Sequence, residues 1–241
     1  TVEAGYDKAN KTEIEEDELR TLQAFVDQMA IAIENAQLFE REQRRMRALT
    51  ALNRLGHDLT RGIRLHEGEI LELIQERGSE VVDSDNMYIA LYDEISDTVR
   101  FGLAVVDGKR VNVSKEKAWQ PRRAGKGKTE AIIRSRQPIL HATSLEAEEW
   151  YAIPAHKEYT GAGIWASWLG VPMIAGERVL GVIACYHPIQ DYVYTTEDMS
   201  FLQTLANQVA IALDNAHMFY DVDQRRKALI EFGQAVTSGI S

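Results

Sequence analysis

The sequence predicts an α+β protein in which an antiparallel sheet is combined with long helices at both ends of the chain. Two observations predict the sheet: short segments rich in β-forming residues, and hairpin signals at Asp107-Gly108-Lys109 and Ala175-Gly176-Glu177 that join neighbouring segments. A third observation, a segment that occurs twice, predicts the long terminal helices and the organisation of the chain.

The repeated segment is residues 16–39, which returns as residues 196–219 at an offset of 180 residues with nine identities in 24 positions. A period of this size is the length of a whole domain and is too long for a solenoid repeat. We therefore expect the tail of one domain, a helical linker, a complete domain and the start of a second linker. Their predicted bounds are 1–40, 41–58, 59–219 and 220–241.

Apolar side chains in the first copy recur at intervals of four and three residues, which predicts an amphipathic helix and also suits a coiled-coil seam. A helix over residues 18–55 would span roughly 57 Å at 1.5 Å per residue, and such a helix is stable mainly when another helix covers its seam. We therefore predict a homodimer formed through the terminal helices. The predicted seam residues are Leu22, Val26, Met29, Ile33, Leu49, Leu52, Leu202, Val209 and Leu213.

Between the two copies, alternating and continuous apolar runs predict strands, and a helical spacing of apolar residues predicts helices. The predicted strands are residues 87–92, 98–106, 111–113, 139–141, 164–173 and 178–186. A helix is predicted over 70–82, and a short helix with a glycine-rich entry lies within 125–137. Residues 145–160 are predicted to form a loop or a short helix.

The composition is that of an ordinary soluble globular protein, with 45% apolar and 27% charged residues. The formal net charge of −10 gives no attraction for nucleic acid or an anionic membrane, so neither is predicted as a partner. No run approaches the roughly 18 apolar residues of a membrane span. The single cysteine, Cys185, excludes an internal disulfide framework and a multi-thiolate metal site, and indicates reducing, cytoplasmic surroundings.

Three stretches together resemble a GAF domain, the sensing module of bacterial sensor kinases, cyclases and phosphodiesterases. They are GKGKTEAIIRSRQPIL (125–140), SWLGVPMIAGERVLGVIACYHP (167–188) and TTEDMSFLQTLANQVAIALDNAHMF (195–219). The resemblance implies a GAF-like central antiparallel sheet of five to six strands, with helices on both faces and long N- and C-terminal helices. It further implies terminal helices packed on one face, a ligand pocket on the other, and dimerisation through those helices.

The resemblance also implies where a ligand would bind. All four tryptophans lie between residues 119 and 168, where the family places its pocket walls, and an aromatic pocket suits a small planar ligand. The same rings could equally be ordinary core residues. Trp165 and Trp168 are an odd number of positions apart on the predicted strand, so only one of them is expected to face the pocket. The pocket candidates are Trp119, Arg122, Arg123, Trp150, Tyr151, Trp165 and Trp168.

Catalytic and cofactor chemistry find little support in the sequence. Methionine sulfoxide reductase members of the family use several cysteines, and bilin-binding members use a cysteine near the pocket helix, whereas Cys185 lies alone on a predicted strand. His141 and His156 have no partner at metal-ligand spacing, so no metal or haem site is predicted. No cofactor is identified by the sequence.

A basic, glycine-rich segment before the short helix invites comparison with a phosphate-binding loop. The pattern fails because Arg122 stands where a glycine is required and no apolar strand directly precedes it. Arg122, Arg123, Lys126 and Lys128 could still hold an anion at the helix N-terminus, although a solvated basic loop is the simpler interpretation.

The sequence therefore predicts a non-catalytic, ligand-sensing and dimerising module of a multidomain bacterial signalling protein. The parent protein would be a sensor histidine kinase of a two-component system, or a cyclic-nucleotide cyclase or phosphodiesterase. The ligand state would bias the packing of the terminal helices and pass along the helical linkers. The alternative is a structural dimerisation spacer that binds no ligand.

Overall fold

The structure, a computed structural model, describes residues 16–61, 66–156 and 164–238. These residues form five helices and seven strands, and short 3-10 turns lie at Lys117–Trp119 and Pro154–His156. The helices are α1 (Glu16–Arg61), α2 (Glu67–Ser79), α3 (Lys128–Ser135), α4 (Ser144–Ala152) and α5 (Thr196–Ser238). The strands are β1 (Met87–Asp93), β2 (Thr98–Val106), β3 (Lys109–Arg110), β4 (Arg122–Arg123), β5 (Ile139–His141), β6 (Ser167–Ala175) and β7 (Arg178–His187).

The strands form one antiparallel sheet in the order β3-β2-β1-β7-β6-β5, and β4 pairs with β2 outside this path. Both hairpin signals are confirmed, since β2 pairs with β3 and β6 pairs with β7. The predicted strand at 111–113 is wrong: β3 ends at Arg110, one further backbone hydrogen bond joins Val111 N–H to the Ala104 carbonyl, and the chain then turns, with Lys115 N–H bonded to the Asn112 carbonyl. The two-residue strand β4 was not predicted, because two arginines carry no apolar alternation.

One face of the sheet is covered by α5, α2 and the final turns of α1. Ala51 and Leu55 of α1 are fully buried in this core, within the compact unit Ala48–Ser241. These two residues lie in the predicted linker 41–58, so that part of α1 packs in the domain core rather than in solvent. The main side chains of this core are Leu55, Ile70, Leu71, Ile74, Met87, Leu169, Val171, Ile183, Leu202, Leu205, Val209 and Leu213.

The opposite face of the sheet carries a second, smaller core beneath α3. Ile132 and Ile133 of α3 pack on strand residues of the other parity, including Ala184 of β7. Helices therefore lie on both faces of the sheet, and the predicted fold class is confirmed. Alternation along β7 separates the two cores: Ile183 and Cys185 face α5, whereas Ala184 and Tyr186 face α3.

An ion-pair cluster fastens the end of α1 to α2. Arg77 donates to Asp58 from Nη2 at 2.8 Å and from Nε at 3.3 Å, and its Nη1 donates to Glu80 at 2.7 Å. Hydrogen bonds to these two carboxylates raise the pKa of the Arg77 guanidinium above its usual value. Because Arg77 is largely buried, the cluster holds the last turns of α1 against α2.

The long helix α5 has one face in the core and one face exposed to solvent. Leu202, Val209 and Leu213 are essentially fully buried against the sheet of their own chain. The prediction that they form a dimer seam is therefore wrong for these three residues, because the domain core already occupies them. The side of α5 opposite this core carries Ile211 and Met218, both more than half exposed.

A second polar cluster ties α5 to α2 and β2 around one carboxylate. Glu67 Oε2 accepts hydrogen bonds from Arg100 of β2 and from His217 Nε2 of α5, the latter at 3.1 Å. The His217 hydrogen bond, with the Arg100 hydrogen bond and charge, lowers the pKa of Glu67 to about 2 against the opposing effect of burial. The same hydrogen bond raises the pKa of His217.

We predict that Gly181→Ala destabilises the domain by about 1–3 kcal/mol, the usual cost of overpacking. Gly181 has a φ of +157°, and an added Cβ would overlap the carbonyl oxygen of Ala90 in the neighbouring strand. The matched control is Gly68→Ala in α2, where an added Cβ meets no atom within 4 Å and is expected to leave stability unchanged or slightly raised. Urea unfolding of both variants measures the difference, and equal midpoints would contradict the packing argument.

We predict that His217→Gln destabilises the domain only at lower pH. Because the folded-state pKa of His217 is raised, its stabilisation is fully present below the unfolded value of about 6.5 and is lost as pH rises through the folded value. His217 is half exposed, so solvent screening limits the effect to about 0.5 kcal/mol at pH 6, vanishing near pH 9. Thermal unfolding across this range measures it. In a Glu67→Gln background, His217→Gln should have no pH-dependent effect on stability. If a pH-dependent effect persists in that background, the His217–Glu67 pair is not its cause.

Candidate functional site

A cavity of about 620 Å³ opens on the face of the sheet that carries α3. Its floor is formed by strands β1, β2, β6 and β7, and its rim by the segment from Ala118 to Glu130 and the end of α4. This volume lies within the range of small-molecule binding sites, about 300–1,000 Å³. The lining residues are Tyr88, Phe101, Ala118, Trp119, Arg122, Arg123, Gly125, Lys126, Gly127, Lys128, Thr129, Glu130, Tyr151, Trp165, Trp168 and Tyr186.

Three aromatic rings form one end of the cavity. The ring centroid of Trp119 lies 5.1 Å from that of Phe101 and 5.8 Å from that of Tyr88, and the Trp119–Phe101 contact is edge-to-face. The Tyr88 hydroxyl lies 2.9 Å from Thr129 Oγ1 of α3, so this end is tied to the helix that covers it. Burial raises the pKa of the Tyr88 phenol, which keeps it neutral and available for this hydrogen bond.

Trp165 and Trp168 both line the cavity, so the expectation that only one of them would do so is wrong. The strand begins at Ser167, three residues later than predicted. Trp165 therefore lies before the strand, where the alternation of side chains does not apply. The Trp165 ring lies against Tyr186 at a centroid distance of 4.5 Å. The Trp168 ring lies over Gly170, where a Cβ would collide with it.

Trp150 is the one predicted pocket tryptophan that does not line the cavity. Its ring stacks on His156 at 4.1 Å and approaches His141 at 5.9 Å, while the adjacent Tyr151 reaches the cavity instead. Burial, with the charge of Lys128, lowers the pKa of His141 to about 3, so this imidazole is neutral. Neither histidine lines the cavity, and within the described residues no group of three or more His, Cys, Asp or Glu is placed to hold a metal ion.

The basic segment before α3 is arranged around a carboxylate of the chain itself. Glu130, 1% exposed, accepts hydrogen bonds from the backbone N–H groups of Gly125 at 3.2 Å and Gly127 at 3.0 Å. It also forms an ion pair with Arg122, and hydrogen bonds and charge from Arg122 help to lower its pKa against the effect of burial. The sequence left open an anion site at this helix N-terminus with Arg122, and Glu130 already occupies both.

Lys128 differs from the other basic residues because it is buried. It is 6% exposed, and its ammonium lies 5.0 Å from the ring centroid of Trp168 and 5.3 Å from that of Tyr151. Within the described part of the chain, its Nζ has no hydrogen-bond partner. Burial lowers the pKa of Lys128 to about 8, so the ammonium is still the main form at neutral pH.

Cys185 is excluded from the cavity by strand alternation. It is 1% exposed and lies in the core beneath α5, on the opposite face of the sheet from Tyr186 and the cavity. Burial raises the pKa of its thiol, which therefore stays protonated. A cysteine in this position can neither bind a chromophore in the cavity nor attack a substrate there.

Several cavity residues were missed by the sequence analysis, namely Tyr88, Phe101, Thr129, Glu130 and Tyr186. Strand alternation and register could have indicated Tyr186, which pairs with Trp168 across β6 and β7 and so shares its face. The position of Glu130, three residues after the N-cap Gly127, could have indicated a helix cap, whereas no local pattern indicates its burial or its pairing with Arg122.

Among the described residues, no helix is both long and apolar enough to cross a membrane.

Comparison with curated proteins finds the formate hydrogenlyase transcriptional activator FhlA of Escherichia coli K12, which is 28% identical over 71 residues. The match covers 30% of this chain, which corresponds to only 10% of that relative's length.

Solved structures of GAF domains share the fold. The GAF domain of an Acinetobacter phosphoenolpyruvate-protein phosphotransferase superposes with a TM-score of 0.53 at 18% identity, covering 70% of this chain and 94% of that one. A putative GAF sensor protein from Burkholderia vietnamiensis gives a TM-score of 0.51 at 15% identity, covering 72% and 98%. The sequence model of the GAF domain matches residues 66–213, more than half of the chain. Because the family model matches over this length and the fold is that of solved GAF domains, the chain belongs to the GAF domain family.

Proposed function

We propose that this chain is a non-catalytic, small-molecule-sensing and dimerising module of a multidomain bacterial signalling protein in the cytoplasm. Its parent would be a sensor histidine kinase or a cyclic-nucleotide cyclase or phosphodiesterase. The ligand would bind in the cavity between the sheet and α3, and its presence would be passed on through α5. The observation that carries this proposal is the cavity itself, which is lined by aromatic side chains and one buried cation.

The shape of the cavity favours ligand binding over the alternative of a structural spacer. A spacer would be expected to fill the space beneath α3 with side chains, as the core beneath α5 is filled. Instead, about 620 Å³ remains open beside rings that are held in place by contacts with one another. Fixed aromatic walls around an open volume are typical of a preformed ligand site.

Dimerisation is supported by an outer stripe on α5, which we define as Ile211, Asn215, Met218 and Val222. These residues are spaced four, three and four apart, as in a coiled-coil seam. Ile211 follows Val209 by two positions, a rotation of about 200°, so the stripe lies opposite the core face of the helix. Ile211, Met218 and Val222 are 57%, 52% and 65% exposed, and within the described residues nothing covers them.

The repeat provides independent support for the outer stripe. Ile31, Asn35 and Leu38 of α1 correspond to Ile211, Asn215 and Met218, and Ile31 and Leu38 are 58% and 49% exposed. An asparagine at one seam position is a known device for fixing the register of a two-stranded coiled coil. We therefore infer a parallel, in-register seam. On α5 this seam is formed by the outer stripe, because the seam residues predicted there lie in the core.

Ligand occupancy would reach the seam through strand β6. Trp168 at the start of β6 lines the cavity, and the carbonyl of Pro172 further along the same strand accepts a hydrogen bond from Gln203 of α5 at 3.0 Å. Arg178 of β7 forms an ion pair with Asp214 of α5. A ligand that prefers one position of strands β6 and β7 would therefore bias the position of α5.

We expect a ligand from a metabolite panel to raise the melting temperature of the protein, since only binding to the folded state stabilises it by mass action. Trp119→Leu removes one aromatic wall of the cavity. For a ligand that stabilises the wild type, this substitution should lower the binding affinity by about tenfold. Trp150→Leu is the matched control, because Trp150 lies outside the cavity and should leave the ligand-dependent shift in place. If no compound shifts the wild type, the spacer alternative is favoured instead.

We expect the protein to be a dimer, and the double substitution Met218→Glu, Val222→Glu to make it a monomer, because four like charges would face one another in the seam. Sedimentation equilibrium measures the mass of each form. Tyr220→Glu places a charge on the same exposed part of α5 but away from the outer stripe, and should leave the dimer intact. A monomeric wild type, or a control as disruptive as the double variant, would contradict this seam.

A further inference from the structure

The cavity contains one charged group that the fold leaves without a partner. Lys128 is 6% exposed, and within the described residues its Nζ has no hydrogen-bond acceptor. The rings of Trp168 and Tyr151, 5.0 and 5.3 Å from Nζ, offset part of the cost of burying the ammonium. Ring faces do not satisfy three N–H donors, so an acceptor is still required.

The acceptor cannot come from the nearest carboxylate of the chain. Glu130 lies only two positions after Lys128, but its two oxygens are taken by Gly125 N–H, Gly127 N–H and Arg122. The pKa of Lys128 is lowered by burial alone, which agrees with the absence of a paired carboxylate among the described residues. The charge of Lys128 is felt by His141, and this imidazole is neutral and adds no negative charge.

The remaining charges around the cavity limit the class of ligand further. A cationic ligand would meet Lys128 together with the two arginines of β4, and repulsion would disfavour it. A neutral ligand would leave the buried ammonium unsatisfied. A polyanion such as a nucleotide would need several buried cations, whereas Arg122 is already paired with Glu130, and Arg123 and Lys126 are exposed to solvent. A single negative charge matches the single buried cation.

We propose that the ligand is a small organic acid whose carboxylate pairs with Lys128 and whose planar, apolar body lies against Trp119, Trp165 and Tyr186. This inference rests on the proposed ligand-sensing function and specifies the chemistry of the same site. The carboxylate would complete the hydrogen bonds of the ammonium at the inner end of the cavity. The aromatic side chains would select flat apolar bodies by stacking and by burial of their surface.

The test compares pairs of compounds that have the same shape and differ in charge. Benzoate with benzamide, and trans-cinnamate with cinnamamide, are titrated into the wild-type chain and followed by ligand-observed NMR. Each acid should bind at least tenfold tighter than its amide. Inorganic phosphate, which has charge but no planar body, and benzylamine, which has the opposite charge, should bind more weakly than either acid. Amides that bind as tightly as acids would overturn the proposal.

The decisive variant is Lys128→Met, which keeps a long apolar side chain in the same space without the charge. It should abolish the preference for acid over amide, leave amide binding within about threefold of the wild type, and raise the melting temperature of the ligand-free protein because an unsatisfied buried charge is removed. Lys126→Met is the matched control: Lys126 also borders the cavity but is exposed, and the acid preference should survive its substitution.

The outcomes separate this inference from the proposed function. If amides, amines or phosphate bind in place of acids, or if Lys128→Met retains the acid preference or destabilises the ligand-free protein, the ligand class is wrong although the cavity still binds ligands. If Lys126→Met removes the acid preference as fully as Lys128→Met, the recognition is general surface charge and the inference fails. If neither these compounds nor the metabolite panel bind at all, the proposed sensing function fails as well.

Discussion

Burial of β6 and β7 on both faces is the constraint on which the rest of the structure depends. Neither strand has a solvent face along most of its length, so every side chain belongs either to the core beneath α5 or to the face beneath α3. Alternation then decides the chemistry of each residue. Cys185 becomes an inert core thiol, and Tyr186, its neighbour in sequence, becomes part of a cavity wall.

The same double burial explains how an internal site could influence a distant helix. Strand β6 presents Trp168 to the cavity and the Pro172 carbonyl to Gln203, so one rigid element contacts both the ligand space and α5. Helix α5 continues this arrangement with a core face on one side and the outer stripe on the other. A small displacement of strands β6 and β7 would therefore be carried to the proposed dimer seam, because packed elements move as units rather than deform continuously.

The charges in the cavity are decided by two neighbouring residues of α3, Glu130 and Lys128. Glu130 serves as the anion for the N-terminus of α3 and for Arg122, a position that would otherwise attract a phosphate. This leaves Lys128 as the buried cation of the cavity that is available to a ligand. The proposed preference for a singly charged organic acid is thus a consequence of a helix cap that the chain provides for itself.

The sequence by itself determined the fold class, the two hairpins and the long terminal helices, because these depend on periodicities and turn residues that act locally. It also indicated the family, through the resemblance of three stretches to a GAF domain. Strands 98–106 and 139–141 were predicted with the bounds the structure has. The tertiary structure alone decided which apolar face of α5 is core, since a spacing of three and four is identical for a core stripe and a coiled-coil seam. It also decided that Trp165 and Trp168 share the cavity, and that Lys128 is buried with no hydrogen-bond partner among the described residues while Lys126 is exposed. The burial and the neighbours of these side chains depend on residues that are distant in sequence, so no local pattern could predict them.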